Sequence, residues 1–315
     1  MNSTVAGSPS TNDSAATTRL RVTVLSGGPS AEREVSLQSG AAIAAGLRRR
    51  GHAVHVSDID PADLSALDHP ADVVFPALHG TFGEDGAIQR ILEARGMRFV
   101  GSGSAASAQA IDKVRTKERA ISLGIPTPEY EVISAHAPGR MGPPVVVKPI
   151  DQGSSVLTSI VHSDAELEPA VQAVVREYGR ALVERFIDGQ EVTVGVLGEQ
   201  TLPPIFIRAK TGFYDYDAKY RRDDTEYLFD DGTHSEAAAR VSTMSRALFD
   251  ALGCRHLGRV DWMLDAHGAP WLLEVNTLPG FTSHSLVPKA AARVGLAFDE
   301  LVDRLVRLAM QEERS

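Results

Sequence analysis

Cysteine is nearly absent: Cys254 stands alone among 315 residues. It has no partner for an internal disulfide and cannot by itself make a zinc site, a pattern that fits a reducing compartment. Long apolar runs are missing too. Nothing approaches the ~20 residues that span a bilayer, so no membrane insertion is expected. Basic residues are in deficit, Lys+Arg 32 against Asp+Glu 41, for a formal net charge of −9. Nucleic-acid backbones recruit basic surfaces, so a non-specific nucleic-acid binder is disfavoured. Residues 1–18 lack the basic region and apolar stretch of a signal peptide, and their Ser/Thr/Ala/Gly/Asn-rich composition reads as a disordered, dispensable tail. No Gly-x-x-x-x-Gly-Lys-[Ser/Thr] occurs, and no Gly-x-Gly-x-x-Gly follows the first strand, which disfavours a P-loop ATPase and a nicotinamide dehydrogenase. No internal repeat is evident. What remains is ordinary globular composition, 43% hydrophobic and 23% charged, with length for two domains or three small ones. A cytoplasmic protein is expected.

Along the chain, Leu20–Leu25 alternates as a strand and Gly27-Gly28-Pro29 breaks it. Glu34–Arg50 then reads as an amphipathic helix ending before Gly51. Further strands are expected at Ala53–Val56, Asp72–Leu78 and Met97–Val100, with a helix at Glu84–Ala94. Such alternation favours a parallel, doubly wound sheet, in which ligands bind beyond the carboxyl ends of the strands, where Gly27-Gly28 and His79-Gly80 fall. The character changes near Asp112-Lys113. A central α+β unit follows, with strands at Pro143–Pro149, Ala181–Ile187 and Glu191–Leu197 and a helix at Ala165–Tyr178. A third unit begins near Gly198. It carries a long polar stretch between Arg208 and Gly232, a helix at Ser235–Leu252, two strands and a last helix at Phe298–Met310. The expected organisation is thus a tail at 1–18, an α/β domain at 19–112, and α+β units at 113–198 and 199–315.

The most informative stretch runs from Gly258 to Asn276. Val260, Trp262 and Leu264 alternate with polar residues, as do Trp271, Leu273 and Val275. With a hairpin loop at Ala266–Ala269, Asp265 would pair with Pro270, Asp261 with Glu274 and Arg259 with Asn276, all on one sheet face. Opposed carboxylates destabilise a sheet unless something positive lies between them. Asp261, Glu274 and the Asn276 carbonyl are hard oxygen ligands suited to Mg²⁺ with phosphate oxygens and water. A solvated sheet face, part-neutralised by Arg259, would look similar. Lys148 at the end of an apolar strand, followed by Gly153-Ser154-Ser155, offers a cation, backbone N–H groups and hydroxyls to a phosphate. Solvated lysines also end strands. A Mg²⁺ site and a phosphate cradle together point to a nucleoside triphosphate.

These residues carry a resemblance. Gly27-Gly-Pro-Ser-Ala-Glu-Arg-Glu-Val-Ser36, Ala77-Leu-His-Gly80 with Gly83-Glu-Asp-Gly86, and Gly101-Ser-Gly103 open the match. Asp112-Lys113, Val147-Lys-Pro149, Gly153-Ser-Ser-Val156 and Phe213–Tyr220 continue it. Gly258–Asn276 and Pro279-Gly-Phe-Thr-Ser-His-Ser-Leu-Val-Pro288 close it. From about residue 20 onward the chain resembles the D-alanine–D-alanine ligases of the ATP-grasp superfamily. The resemblance implies a Rossmann-like N-terminal domain followed by a two-part ATP-grasp fold. It implies a reaction in which ATP phosphorylates one D-alanine carboxylate and the amine of a second attacks the acyl phosphate, for peptidoglycan precursor synthesis.

By the same resemblance, Asp261, Glu274 and Asn276 hold two Mg²⁺ ions, for which Mn²⁺ would substitute. Lys113, Lys148, Ser155 and Lys219 serve the phosphates, Glu184, Arg185 and Ile187 the adenine, and Glu191 the ribose. Arg259 and the Gly280 N–H form an oxyanion hole. Glu32 takes the first ammonium, supported by Ser154 and Tyr220, and Ser285 with Leu286 takes the second carboxylate. His79 is grouped with the substrate-binding residues, its role otherwise open. A homodimer is implied. Two departures stand out: Leu157 where the family carries a small residue, and Arg185-Phe186 where relatives often have Lys and another aromatic. Ligases with a D-serine or D-lactate acceptor are the near alternatives, and Tyr220 favours an amine. A silent nucleotide-binding regulator would have lost metal or oxyanion residues, which are all present.

Overall fold

The computed structural model describes residues 18–135, 139–154, 156–208, 225–230 and 232–312. Residues 1–17 of the expected tail lie outside this set, as do Ser155, Lys219 and Tyr220.

The N-terminal unit is a three-stranded parallel sheet in the order β2-β1-β3, from β1 (Arg21–Ser26), β2 (Ala53–Asp58) and β3 (Val73–Pro76). After β1 comes α1 (Arg33–Arg49), and α2 (Ala87–Ala94) follows β3. The strand expected at Met97–Val100 is reduced to a single bridge, Val74 to Phe99. Two short helices, α3 (Ser104–Ile111) and α4 (Lys113–Ser122), then lead out of the domain. Asp112 caps α4, its carboxylate accepting from Val114 N and Arg115 N, both at 3.0 Å.

The central sheet has the order β4-β7-β5-β6, from β4 (Tyr130–Ser134), β5 (Val145–Pro149), β6 (Ser159–Val161) and β7 (Arg180–Arg185). One face, Val145, Val147, Val161 and Val183, packs under α5 (Asp164–Tyr178). The other face, with Val146, Lys148, Ile160 and Glu184, is left toward the rest of the chain.

The third sheet runs β11-β10-β8-β12-β13, with β9 (Gln200–Thr201) beside β8. Its strands are β8 (Gly189–Leu197), β10 (Ile205–Arg208), β11 (Glu226–Phe229), β12 (Leu257–Asp265) and β13 (Pro270–Asn276). The unit boundary expected at 198 therefore falls one strand late. Residues 186–188 separate the two sheets, and β8 pairs along its whole length with β12. Val192, Val194, Val196, Val260, Trp262 and Leu264 share the face packed under α6 (Ser235–Ala251). Trp262 is fully buried and donates its indole N–H to Ser245 Oγ at 2.9 Å.

Neither is the N-terminal domain closed at residue 112. After α7 (Leu286–Arg293), the last helix α8 (Phe298–Gln311) returns to pack on α1. Leu301, Leu305 and Val306 share one core with Val22, Val24, Ile43 and Leu47. His52 is the polar latch. Its Nδ1 accepts from Leu20 N at 3.1 Å, so Nε2 carries the proton donated to Asp303 of α8, 2.7 Å away.

Candidate active site

The register of β12 and β13 sets the site. Asp261 stands opposite Glu274 and Arg259 opposite Asn276, as the alternation predicts, while β8 adds Thr193 beside Asp261 and Glu191 beside Met263. Toward the hairpin the expectation fails. A bulge after Asp261 puts Leu272 opposite Trp262, so Leu264, not Asp265, faces Pro270. The extra residue is Leu273. Instead of joining the apolar face with Val275, it turns to the site face and lines an apolar pocket beside Met263. Asp265 instead closes the turn, accepting from His267 N and Ala269 N at 2.9 Å.

That pocket, about 810 Å³, lies between the inner faces of the central and third sheets. Val146, Ile160, Phe186, Ile187, Met263 and Leu273 make it apolar, and Lys148, Glu184, Arg185 and Glu191 stand at its wall. Glu184 is buried and ion-paired with two lysines: Lys148 at Oε1, and Lys117 at 2.8 Å from Oε2. Burial alone would push Glu184 up, but Lys117 and Lys148 outweigh it and hold it below the usual carboxylate range. Burial wins at Lys117, whose pKa is lowered. Sequence reasoning missed Lys117, although it lies four residues after Lys113 on α4 and hence on the same helix face.

A second cleft, about 690 Å³, adjoins the pocket and shares Glu191, Asp261 and Glu274 with it. Glu32, Glu84, Gly153, Ser154, Arg259, Asn276, Gly280, Ser285 and Leu286 are also in its wall. Four connections meet here: those after β1, β3, β5 and β13. Ser36 ties two of them, accepting from Gly27 N at 2.8 Å and donating to Ala77 O at 2.6 Å. The turn needs glycine, since Gly27 and Gly28 have φ of 82° and 81°. Across the cleft, the Ser154 hydroxyl donates to Glu32 Oε1.

Arg259 grips Asp261 bidentately, Nε to Oδ1 at 2.9 Å and Nη2 to Oδ2 at 2.8 Å, and Thr193 Oγ1 donates to Asp261 Oδ1 at 2.6 Å. Lys113 lies 3.5 Å from Glu274 and donates to Gln152 O at 2.6 Å. Burial lowers the Lys113 pKa, with Glu274 opposing. The positive charge that opposed carboxylates require is thus supplied by side chains. Asn276 Oδ1 accepts one bond, from Leu278 N at 2.9 Å, and a carbonyl oxygen has a second lone pair. Among the described residues no three His, Cys, Asp or Glu gather as a metal cluster. Two carboxylates and an amide oxygen still fit an ion whose remaining ligands are phosphate and water oxygens.

His79 is placed differently from the expectation. It is buried and is not part of the cleft wall. Its Nδ1 lies 3.1 Å from Leu278 O and so carries the proton, and Nε2 takes the Ser39 hydroxyl at 3.3 Å. Ser39 Oγ in turn accepts from Phe281 N at 3.1 Å. Burial lowers the His79 pKa, keeping the ring neutral. This chain of bonds fixes the loop that carries Gly280, so the imidazole supports the cleft from behind. Glu84 is the second omission of sequence reasoning. Burial, with Glu32 adding to it, pushes it up to about 8.

Comparison with known proteins bears on the whole chain. Residues 57–102 match the family model described as D-ala D-ala ligase N-terminus, and residues 122–307 the one described as D-ala D-ala ligase C-terminus. The D-alanine–D-alanine ligase of Xanthomonas axonopodis pv. citri is 46% identical over 316 residues, covering 96% of this chain and 98% of that one. That of Chromohalobacter salexigens is 46% identical over 292 residues, with 91% and 93% covered. Among solved structures, a D-alanine–D-alanine ligase from Bacillus anthracis superposes with a TM-score of 0.82 at 33% identity, covering 93% of this chain and 98% of that one. The ATP complex of the Bacillus anthracis ligase gives 0.80 at 30% identity, with the same coverage.

Proposed function

Since the chain belongs to the D-alanine–D-alanine ligase family, we propose how its residues divide the joining of two D-alanines into D-alanyl-D-alanine, ADP and phosphate. The enzyme is an ATP-dependent, ADP-forming ligase of peptidoglycan precursor synthesis. One observation supports the division most: the register that sets Asp261 against Glu274 and Arg259 against Asn276, where an apolar pocket meets a polar cleft.

The apolar pocket suits adenine, with Glu184 held ionised to accept an exocyclic N–H and the backbone at Arg185–Ile187 alongside. Glu191, at the junction, is left for the ribose hydroxyls. Lys113 and Lys148 face the phosphates. Asp261, Glu274 and Asn276 would hold Mg²⁺, which neutralises phosphate charge and orients the γ-phosphoryl group. In the cleft, Glu32 and Ser154 hold the first D-alanine by its ammonium. Arg259 and the Gly280 N–H face the carboxylate that becomes the acyl phosphate and then the tetrahedral oxyanion, where preorganised donors contribute most. Ser285 and the Leu286 N–H, at the start of α7, receive the second carboxylate, a natural anion position. Ser155, Lys219 and Tyr220 complete the family pattern. An acyl phosphate must be shielded from water, and covering it falls to the stretch that contains Lys219 and Tyr220.

Among the described residues no helix is long and apolar enough to cross a membrane, which accords with a cytoplasmic enzyme, and a homodimer is proposed on the family pattern. The test is phosphate release with ATP and Mg²⁺ against D-alanine, D-serine and D-lactate. Release with D-alanine, and a product of dipeptide mass, is expected. Nucleotide binding without release for any of the three would overturn the reading in favour of a silent regulator.

A further inference from the structure

Lys289 is the fourth residue of α7, in its first turn. Side chains on a helix lean toward its N-terminus, and this one reaches back past Ser285 to donate to Ser283 O at 2.7 Å. The ammonium also lies over the Tyr227 ring of β11, 5.4 Å from its centre. One turn on, the Arg293 guanidinium lies 5.4 Å from the centre of the Phe229 ring. Tyr227 and Phe229 share a strand face as Lys289 and Arg293 share a helix face. These contacts hold α7 against β11 and keep the ammonium in place.

That place is costly for a cation. At the start of a helix it meets the positive end of the macrodipole, and α7 has no acidic residue in its first turn. The side chain is half-buried, and burial lowers its pKa with no nearby charge to oppose it. Among the described residues its partners are a carbonyl and a ring face, and no carboxylate pairs with it. The missing complement is an anion at the start of α7. Lys289 is not itself in the cleft wall, but Thr282, His284, Ser285 and Leu286, which flank the Ser283 carbonyl in sequence, are. The rest of that wall is acidic: Glu32, Glu191, Asp261 and Glu274 outnumber Arg259 among its described residues. An anion entering the cleft therefore needs positive potential at its own end.

We propose that Lys289 is a specificity-determining positioning residue whose charge, set behind Ser285 and the Leu286 N–H, restricts the acceptor to molecules with a free carboxylate. This rests on the ligase reading above. To attack, the acceptor's amine must be unprotonated, and the amino acid is then a net anion. A helix N-terminus offers it about half a positive charge, and the ammonium adds a whole one. A bound carboxylate offsets both the burial of Lys289 and its place at the positive helix end. A carboxamide brings no charge and turns N–H groups toward N–H groups, which a polar site rejects.

The test uses the full-length enzyme with ATP and Mg²⁺, and Lys289→Gln, Lys289→Met and Lys289→Arg as variants. Lys289→Gln keeps an N–H for Ser283 O without the charge, Lys289→Met removes both, and Lys289→Arg keeps both. D-alanine and D-alaninamide compete as acceptors, and the two dipeptide products are counted by mass. Competition cancels every step before the acceptor binds, including any loss of folded enzyme. Lys289→Gln and Lys289→Met are expected to shift the product ratio about tenfold toward the amide and to raise the acceptor KM for D-alanine equally. Donor KM and ATP KM should stay within about threefold of the parent, and Lys289→Arg should restore the parent ratio. An unchanged ratio and acceptor KM in Lys289→Gln overturn the proposal. So do equal losses for both acceptors, which would leave Lys289 only the task of holding its loop. Where no enzyme yields the amide product, the acceptor KM of Lys289→Gln decides. Absence of dipeptide synthesis by the parent enzyme would instead refute the ligase reading, a separate outcome.

Discussion

Replacing Lys117 by Met should destabilise this enzyme far more than its distance from the chemistry suggests. The Lys117 side chain has 0% exposure; its ammonium is ion-paired 2.8 Å from Glu184 Oε2 and donates its hydrogen bond to Thr127 Oγ1 at 2.6 Å. Thr127 Oγ1 donates onward to Leu272 O at 2.9 Å, so the lysine also braces the bulged strand β13. Methionine keeps the length and removes the charge. Its gain is the desolvation cost of an ammonium whose pKa burial has lowered. Its loss is one of the two cations that hold Glu184 ionised. Breaking a buried pair on one side costs about 3–5 kcal/mol, and because Lys148 stays on the other oxygen the lower end, about 3 kcal/mol, applies. At about 2–4 °C per kcal/mol for larger domains, Tm falls by roughly 6–12 °C at neutral pH.

The pH dependence sharpens this prediction. Glu184 is held below its ordinary value of 4.5. Its contribution is therefore present above that value and is lost as pH falls through the lower folded one. A protonated Glu184 has less need of a second lysine, so the gap between parent and variant should shrink on the acid side of 4.5. Scanning calorimetry at pH 7 and pH 4 measures both. A loss below about 1 kcal/mol at neutral pH, or a gap that widens in acid, would refute the reasoning.

Glu274→Gln removes a hard anionic ligand and leaves the shape, so Mg²⁺-dependent turnover should fall at least about a hundredfold, while the fold survives, Lys113 keeping its bond to Gln152 O. Full turnover at saturating Mg²⁺ and ATP would count against the metal assignment. Asp303→Asn should cost about 2–3 kcal/mol by weakening the bonds to His52 and Arg307 that dock α8 on α1. Burial would raise Asp303, but Arg307 and His52 hold it below 3.8. That contribution is present above 3.8 and lost as pH falls through the lower folded value, so denaturation curves of parent and variant should converge in strong acid. Leu157 has φ of 48° and is 44% exposed, a left-handed backbone that penalises a side chain by about 1–2 kcal/mol. Leu157→Gly should raise stability by up to about 1 kcal/mol after the entropy of glycine is subtracted, and no rise in Tm would show that the leucine packs usefully in the loop.

Much of the site was legible because strand alternation and register are local. Once Val260, Trp262 and Leu264 take the inward face, Arg259 and Asp261 must share the other, and a short hairpin sets Glu274 and Asn276 across from them. The bulge at Leu273 was not legible, since an alternating run carries no mark of one extra residue. Its cause is tertiary: Leu272 N donates to Pro126 O at 2.8 Å and Leu272 O accepts from Thr127, so the connection ahead of β4 pulls that stretch out of register. The same holds for β8, which follows the central strands in sequence but finds its longest partner, β12, some sixty residues on.

What the sequence by itself determined is the set of chemical groups and the local faces they occupy: the hairpin carboxylates, the lysine ending β5, the glycine turns at Gly27 and Gly28, and the Asp112 cap. These follow from backbone geometry, which repeats every two or 3.6 residues. Tertiary structure alone decided which groups meet. It carried Lys117 to Glu184 and His52 to Asp303, and it set His79 behind the cleft wall, bonded to the loop that bears Gly280. It also brought Glu32 and Glu84 together over Gly153. The physical reason is that the energy of a buried charge depends on its neighbours through space, and a chain contains no local record of which distant residue will supply the counter-charge.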